Sequence, residues 1–144
     1  MEKEIWKDVP GYEGLYEVSN WGNVRSLNYR GKKGVHILSP GTDKKGYKRV
    51  ILFKDDKGTT FQVHRLVAST FLVNPNNLPQ VNHKDKNPGN NIVENLEWCS
   101  LKYNIDHKLG RIGRVEAYMK ENNIKKKVYN AEYYRRKKSL SVAP

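Results

Sequence analysis

The sequence predicts an α+β fold with a small β-rich N-terminal module, a compact strand–loop–strand–helix finger and a basic helical tail. Three observations carry this reading. From Trp6 to Phe61, turn residues cut the chain into short runs rich in β-branched and aromatic side chains. At Val63 the apolar spacing changes from alternation to a helical period. From Gln80 to Gly110, a loop dense in Asn, Asp, Pro and Gly separates two short apolar runs, and a helix-start signal follows them.

In the module, strands are expected over Leu15 to Ser19, Val24 to Leu27, Tyr47 to Phe53 and Thr59 to Val63. The breaks between them fall at Pro10-Gly11, Glu13-Gly14, Trp21-Gly22-Asn23, Gly31, Gly34, Pro40-Gly41 and Gly46. The best-defined element is a hairpin, Ile51 to Val63, turning at Asp55, Asp56, Lys57 and Gly58. Trp6, Tyr12, Tyr16 and Trp21 are expected to form the module's core, since it has few aliphatic residues of its own.

His64, Val67, Ala68 and Phe71 recur at helical spacing, which predicts a short helix over Val63 to Phe71. Asn74-Pro75-Asn76-Asn77-Leu78-Pro79 ends it in a loop. Gln80 to His83 reads as a short strand, Lys84 to Asn91 as a loop, and Ile92 to Cys99 as strand or turn. Ser100 is the expected N-cap of a helix from Leu101 to about Leu109, stopped by Gly110. Beyond it, Val115, Met119, Ile124, Val128 and Ala131 keep a rough helical register. The expected divisions are residues 1–63, 64–109 and 110–144.

Charge narrows the partner. The chain carries 27 Lys and Arg against 15 Asp and Glu, a formal charge of +12, which favours a polyanion. Net charge is +4 over residues 1–63, zero over 64–100 and +8 over 101–144. Basic arms would thus hold a phosphate backbone while the near-neutral middle does something chemically specific. No apolar run reaches the roughly 18 residues of a membrane-spanning helix, and MEKEIWKDVP lacks the pattern of a signal peptide. A soluble, cytoplasmic protein is expected. Cys99 is the only cysteine, which excludes an internal disulfide and any zinc site built on paired thiolates; it reads as a small buried side chain.

Of the four histidines, His83 lies between Asn82 and Lys84 at the end of a short apolar run. An imidazole titrating near ~6.5 takes a proton from water at neutral pH, and phosphodiester hydrolysis needs such a base together with a cation. Oxygen-bearing Asn82, Asp85, Asn95 and Asn104 are the candidate ligands for that cation. His64 reads as a packing or capping side chain and His36 as a surface or DNA-proximal one. Asp85 reads as a turn-stabilising carboxylate, and Asn87, Asn90 and Asn91 as loop formers, with Asn91 tying the loop down.

The string VNHKDKNPGNNIVENLEWCSLKYN resembles the HNH, or ββα-metal, finger of phage and intron-encoded homing endonucleases. The preceding VHRLVASTF is similar to the helix that those enzymes place before the finger. The opening IWKDVPGYEGLYEVSNWGNVRSL is similar to a NUMOD-type DNA-binding module of the same enzymes. The resemblance implies a phosphodiester hydrolase acting on double-stranded DNA, with His83 as general base and Asn95 orienting its ring and pinning the two strands. It further implies a divalent cation, magnesium with manganese as substitute, on Asn104 and Asn82. His107, three residues after Asn104, could share or replace its role. Asn82 stands where the family often has Asp, and Lys86 where it has Gly.

Phosphate contacts are expected from Arg25, Arg30, Lys32, Lys33, Lys44, Lys45, Lys48 and Arg49 in the module. In the tail they are expected from Arg111, Arg114, Lys125, Lys126, Lys127, Arg135 and Arg136. A monomer without small-molecule cofactor or membrane partner is expected, in the host cytosol if phage-encoded. The rival reading is a DNA-binding protein that keeps the HNH scaffold without cutting, for which Asn82 is the motive. A basic RNA-binding protein is a third reading, disfavoured by the Asn and His cluster around one loop.

Overall fold

The computed structural model describes residues 3–29 and 31–110. The Lys125–Lys127 and Arg135–Arg136 clusters, Arg111, Arg114, Arg30 and the expected tail helix lie outside them.

Alternation and tight turns build the first sheet, an antiparallel meander of β1 (Trp6–Asp8), β2 (Tyr16–Ser19), β3 (Val24–Tyr29) and β4 (Lys32–Ile37). β5 (Gly41–Thr42), β6 (Lys48–Lys54) and β7 (Lys57–Gln62) form a second antiparallel sheet. The β6–β7 hairpin turns on Asp55 and Asp56 alone, with φ of 50° and 59°. Two central residues with positive φ match the twist of the flanking strands. Lys57 and Gly58, expected in the turn, pair with Lys54 and Phe53 instead. β1, β4 and β5 were not legible beforehand. They carry little buried apolar surface, and main-chain pairing with β2, β3 and β6 makes them strands.

Helix α1 (Val63–Phe71) occupies the predicted span and buries Val63, His64, Leu66, Val67 and Ala68. It packs on β2, β6 and β7. Its last turn is tied down by Trp98, whose indole Nε1 donates to the Leu72 carbonyl at 3.3 Å. β8 (Gln80–His83) pairs with β9 (Leu96–Cys99), and a 3-10 turn (Val93–Asn95) leads into β9.

The core corrects the expectation of an aromatic one. Val9, Val18, Val24, Val50, Leu52, Val63, Leu66, Val67, Ala68, Val81 and Leu96 are its buried members. Alternation turns Val50 and Leu52 inward and leaves Ile51 and Phe53 exposed. Tyr12 and Tyr16 pack at the margin, Tyr12 edge-on to Phe61 at 5.5 Å. Trp21 is 46% exposed. Trp6 is only half-buried and lies under the Arg25 guanidinium at 4.1 Å.

Val81 and Leu96 belong to the same core as β2, β3 and β6, so the boundary expected at residue 63 is not where the structure divides. One compact unit holds Met1–Asn74 and Val81–Trp98. Residues 75–80 and 99–110 belong to a second. Among the described residues, no helix is long and apolar enough to cross a membrane.

Candidate active site

β8 delivers Asn82 and His83 to its C-terminal end, both buried. The His83 ring is fixed on several sides. Nε2 lies 3.0 Å from Asn91 Oδ1. The rings of His64 and Tyr47 stand 5.0 and 5.9 Å from it, centroid to centroid. His64 thus packs against the site; at the start of α1 the capping position is Gln62, without a side-chain cap bond. Tyr47 also lies 5.2 Å from His64, which closes a three-ring cluster.

The loop between β8 and β9 is organised by a carboxylate and two amides. Asp85 Oδ1 accepts from the Asn87 amide at 2.8 Å and from Asn95 Nδ2 at 2.9 Å, and Oδ2 accepts from Asn90 Nδ2 at 2.8 Å. Asn95 Oδ1 accepts from the Asp85 amide at 3.0 Å, and its Nδ2 also donates to the Asn90 carbonyl. The Asn90 amide, against some desolvation, and the Asn87 and Asn95 donors hold the Asp85 carboxyl below the ordinary carboxylate range, helped by His83 nearby. Lys86 adopts φ 63°, the left-handed conformation that suits glycine.

Asn95 therefore binds the loop, and the Lys84 amide reaches its carbonyl at 2.8 Å to join the two strands. The ring-orienting contact expected of it falls to Asn91. The sequence offered one signal for Asn91, its place in the Asn-Asn pair before the NLEW segment. Asn82 donates from Nδ2 to Glu97 Oε1 at 2.9 Å, a β9 carboxylate that sequence reasoning did not single out.

α2 (Leu101–Lys108) starts as expected, with Ser100 Oγ accepting from the Tyr103 amide at 2.9 Å. It carries Asn104 and His107 on one face, and His107 stacks on Tyr103 at 6.2 Å. His107 Nδ1 is buried without a hydrogen-bond partner among the described residues. Cys99 is buried beside Tyr103. Asn82, His83 and Asn95 thus lie in the first compact unit, and Asn104 and His107 in the second. Among the described residues, no cluster of three or more His, Cys, Asp or Glu could hold a metal ion.

The basic side chains of the module differ in their engagement. Arg25 is held by Glu17 at 2.6 Å and by the Trp6 face, which makes it a strut of the first sheet. Lys48 donates to Thr42 Oγ1, and Arg49 lies 3.9 Å from Asp43 while staying half exposed. Lys44 and Lys45 are exposed on the Asp43–Gly46 turn. Lys32 and Lys33 lie on β4, and His36 is exposed there.

A histidine at the end of one short strand, an Asn/Asp-clasped loop, a second strand and a capped helix follow one another along the chain in the order of a ββα finger. Residues 4–53 match the family model of the NUMOD4 motif. The chain is 46% identical over 106 residues to DNA endonuclease I-HmuI of Bacillus phage SP01, covering 74% of this chain and 58% of that protein. It is 38% identical over 88 residues to the SPbeta prophage-derived putative HNH homing endonuclease YosQ of Bacillus subtilis (strain 168), covering 60% and 50%. A solved structure described as DNA binding and cleavage by the HNH homing endonuclease I-HmuI is similar with a TM-score of 0.64 at 41% identity. That match covers 85% of this chain and 68% of that one. This chain belongs to the HNH homing endonuclease family. It spans a little over half the length of the I-HmuI protein and half that of YosQ.

Proposed function

We propose that this chain is a divalent-metal-dependent DNA endonuclease of nicking or homing type, with His83 as general base. The observation that carries this reading is the fixed His83 ring, whose Nε2 is engaged by an oxygen that can only accept. On that contact we assign the ring proton to Nε2, which leaves the basic lone pair on Nδ1. Nδ1 takes a proton from water while the water oxygen bonds to phosphorus. The P–O3′ bond breaks as that bond forms, the 3′-oxygen takes up a proton from solvent, and 3′-hydroxyl and 5′-phosphate ends result.

The donors suit a hard cation, because Asn82 offers an amide oxygen and Glu97 places a carboxylate 2.9 Å from its nitrogen. When bound by Asn82 and Asn104, with His107 as the alternative ligand, magnesium or manganese would stabilise charge on the phosphate and the leaving oxygen. Asn95 and Asp85 hold the loop that bears Asn91. Exposed Lys44, Lys45 and Arg49, together with the basic residues after Gly110, supply phosphate contacts to double-stranded DNA. A single such centre in a monomer would nick one strand, in the cytoplasm where DNA is exposed.

Supercoiled plasmid with magnesium tests this. Wild type is expected to convert it to the open circle, and His83→Ala to do so about 10²- to 10⁴-fold more slowly while binding DNA equally well. If both bind and neither nicks, the chain is a DNA-binding scaffold. Asn82, in place of a carboxylate, is the observation that favours this second reading.

A further inference from the structure

We propose that the Ser19–Asn23 turn of the N-terminal module positions the general base, by clamping Asn91 so that its side chain fixes the His83 ring with the proton on Nε2. This rests on the nuclease reading only for its kinetic consequence; the geometry stands by itself.

The turn is built from within. Ser19 is fully buried, and its Oγ accepts from the amides of Trp21 and Asn23 at 3.3 and 3.1 Å. Asn20 accepts from the Ile5 amide through Oδ1 at 2.7 Å, so the turn is anchored to the start of the first sheet. From there it reaches the catalytic loop twice. The Asn20 carbonyl accepts from the Val93 amide at 2.8 Å. Gly22, at φ +85°, presses so close to Asn91 that a Cβ there would lie 2.8 Å from Asn91 Cβ and 2.9 Å from its carbonyl oxygen. Only glycine satisfies both the backbone conformation and this approach. Asn91 is itself buried, and its Oδ1 meets His83 Nε2. The path from module to base is therefore one turn, one glycine contact and one side chain. A second glycine repeats the device, since a Cβ on Gly46 would lie 2.9 Å from Pro88 Cγ in the same loop.

An oxygen acceptor at Nε2 selects one imidazole tautomer, and the other would put the basic lone pair on Nε2, facing Asn91. Asn91 and Gly22 are positioning residues: they act on the rate through His83.

The test uses the full chain labelled with 15N at histidine, with His83 signals assigned by their loss in His83→Gln. Ring 15N shifts report which nitrogen carries the proton. Wild type is expected to show Nε2–H, and Asn91→Asp, which keeps an acceptor oxygen, to retain it. Asn91→Leu and Gly22→Ala are expected to give a mixture of tautomers. Asn91→Ser, too short to reach the ring, serves in case Leu disturbs folding. In magnesium-dependent nicking of supercoiled plasmid, the same three variants are expected to lose about 10- to 100-fold in kcat with KM unchanged. A His83 ring that stays Nε2–H in all three variants overturns the proposal. So does a loss confined to KM. If wild type fails to nick while the tautomer shifts as described, the nuclease reading falls and the positioning role stands.

Discussion

At the scale of single residues, the loop between β8 and β9 shows how far side-chain identity and side-chain role diverge. His83 stood out because a histidine between Asn and Lys at the end of a strand has no packing explanation. Its partner did not, because Asn87, Asn90, Asn91 and Asn95 are chemically alike and only the folded loop sorts them. Lys86 holds a left-handed φ of 63°, a conformation that suits glycine. Lys86→Gly is expected to raise stability by about 0.5–1 kcal/mol in chemical denaturation, the strain relieved outweighing the added freedom of the unfolded chain. Asp85 adds a pH dependence. Its folded pKa is depressed, so the stability it contributes is present above its unfolded value near ~3.9 and fades as pH falls through the lower folded value. The stability gap between wild type and Asp85→Asn is expected to shrink as pH is lowered from about 6 to about 2.5, measured by urea melts at each pH. A gap constant with pH would mean that the Asp85 charge is not what the loop uses.

At the scale of elements, the strongest local signals were those with a stereochemical cause. The period change at Val63 and the Ser100 cap both placed helices where they form. Ser100→Ala removes the oxygen that receives the Tyr103 amide, and should cost about 1 kcal/mol with faster amide exchange over Leu101–Asn104. The β6–β7 hairpin and the start of its turn were legible, but Lys57 and Gly58 made the expected turn two residues longer than the observed one. Gly58 is a strand residue, its missing side chain leaving room for Phe53, whose ring would be 2.9 Å from a Cβ there. β1, β4 and β5 carry no pattern of their own, because an edge strand takes its order from the partner whose backbone it pairs with.

At the scale of the whole molecule, the β8–β9 loop is not a separable finger, because β8 and β9 bury Val81 and Leu96 in the core of the N-terminal module. Leu52→Ala, distant in sequence from that loop, is therefore expected to cost about 2–5 kcal/mol and to speed hydrogen exchange in residues 81–98 together with that of the two sheets. Exchange that accelerates in the sheets alone would show that the loop folds independently. The sequence by itself determined the basic character, the strand and helix chemistry, the His83 motif and the family, because these rest on composition, local propensity and short-range spacing. Only the tertiary structure decided that aliphatic side chains and not tryptophans fill the core, that Arg25 braces a sheet, and that Asn91 holds the His83 ring. Each of those depends on contacts between residues far apart in the chain, such as Gly22 with Asn91, and no local pattern encodes the distance between them.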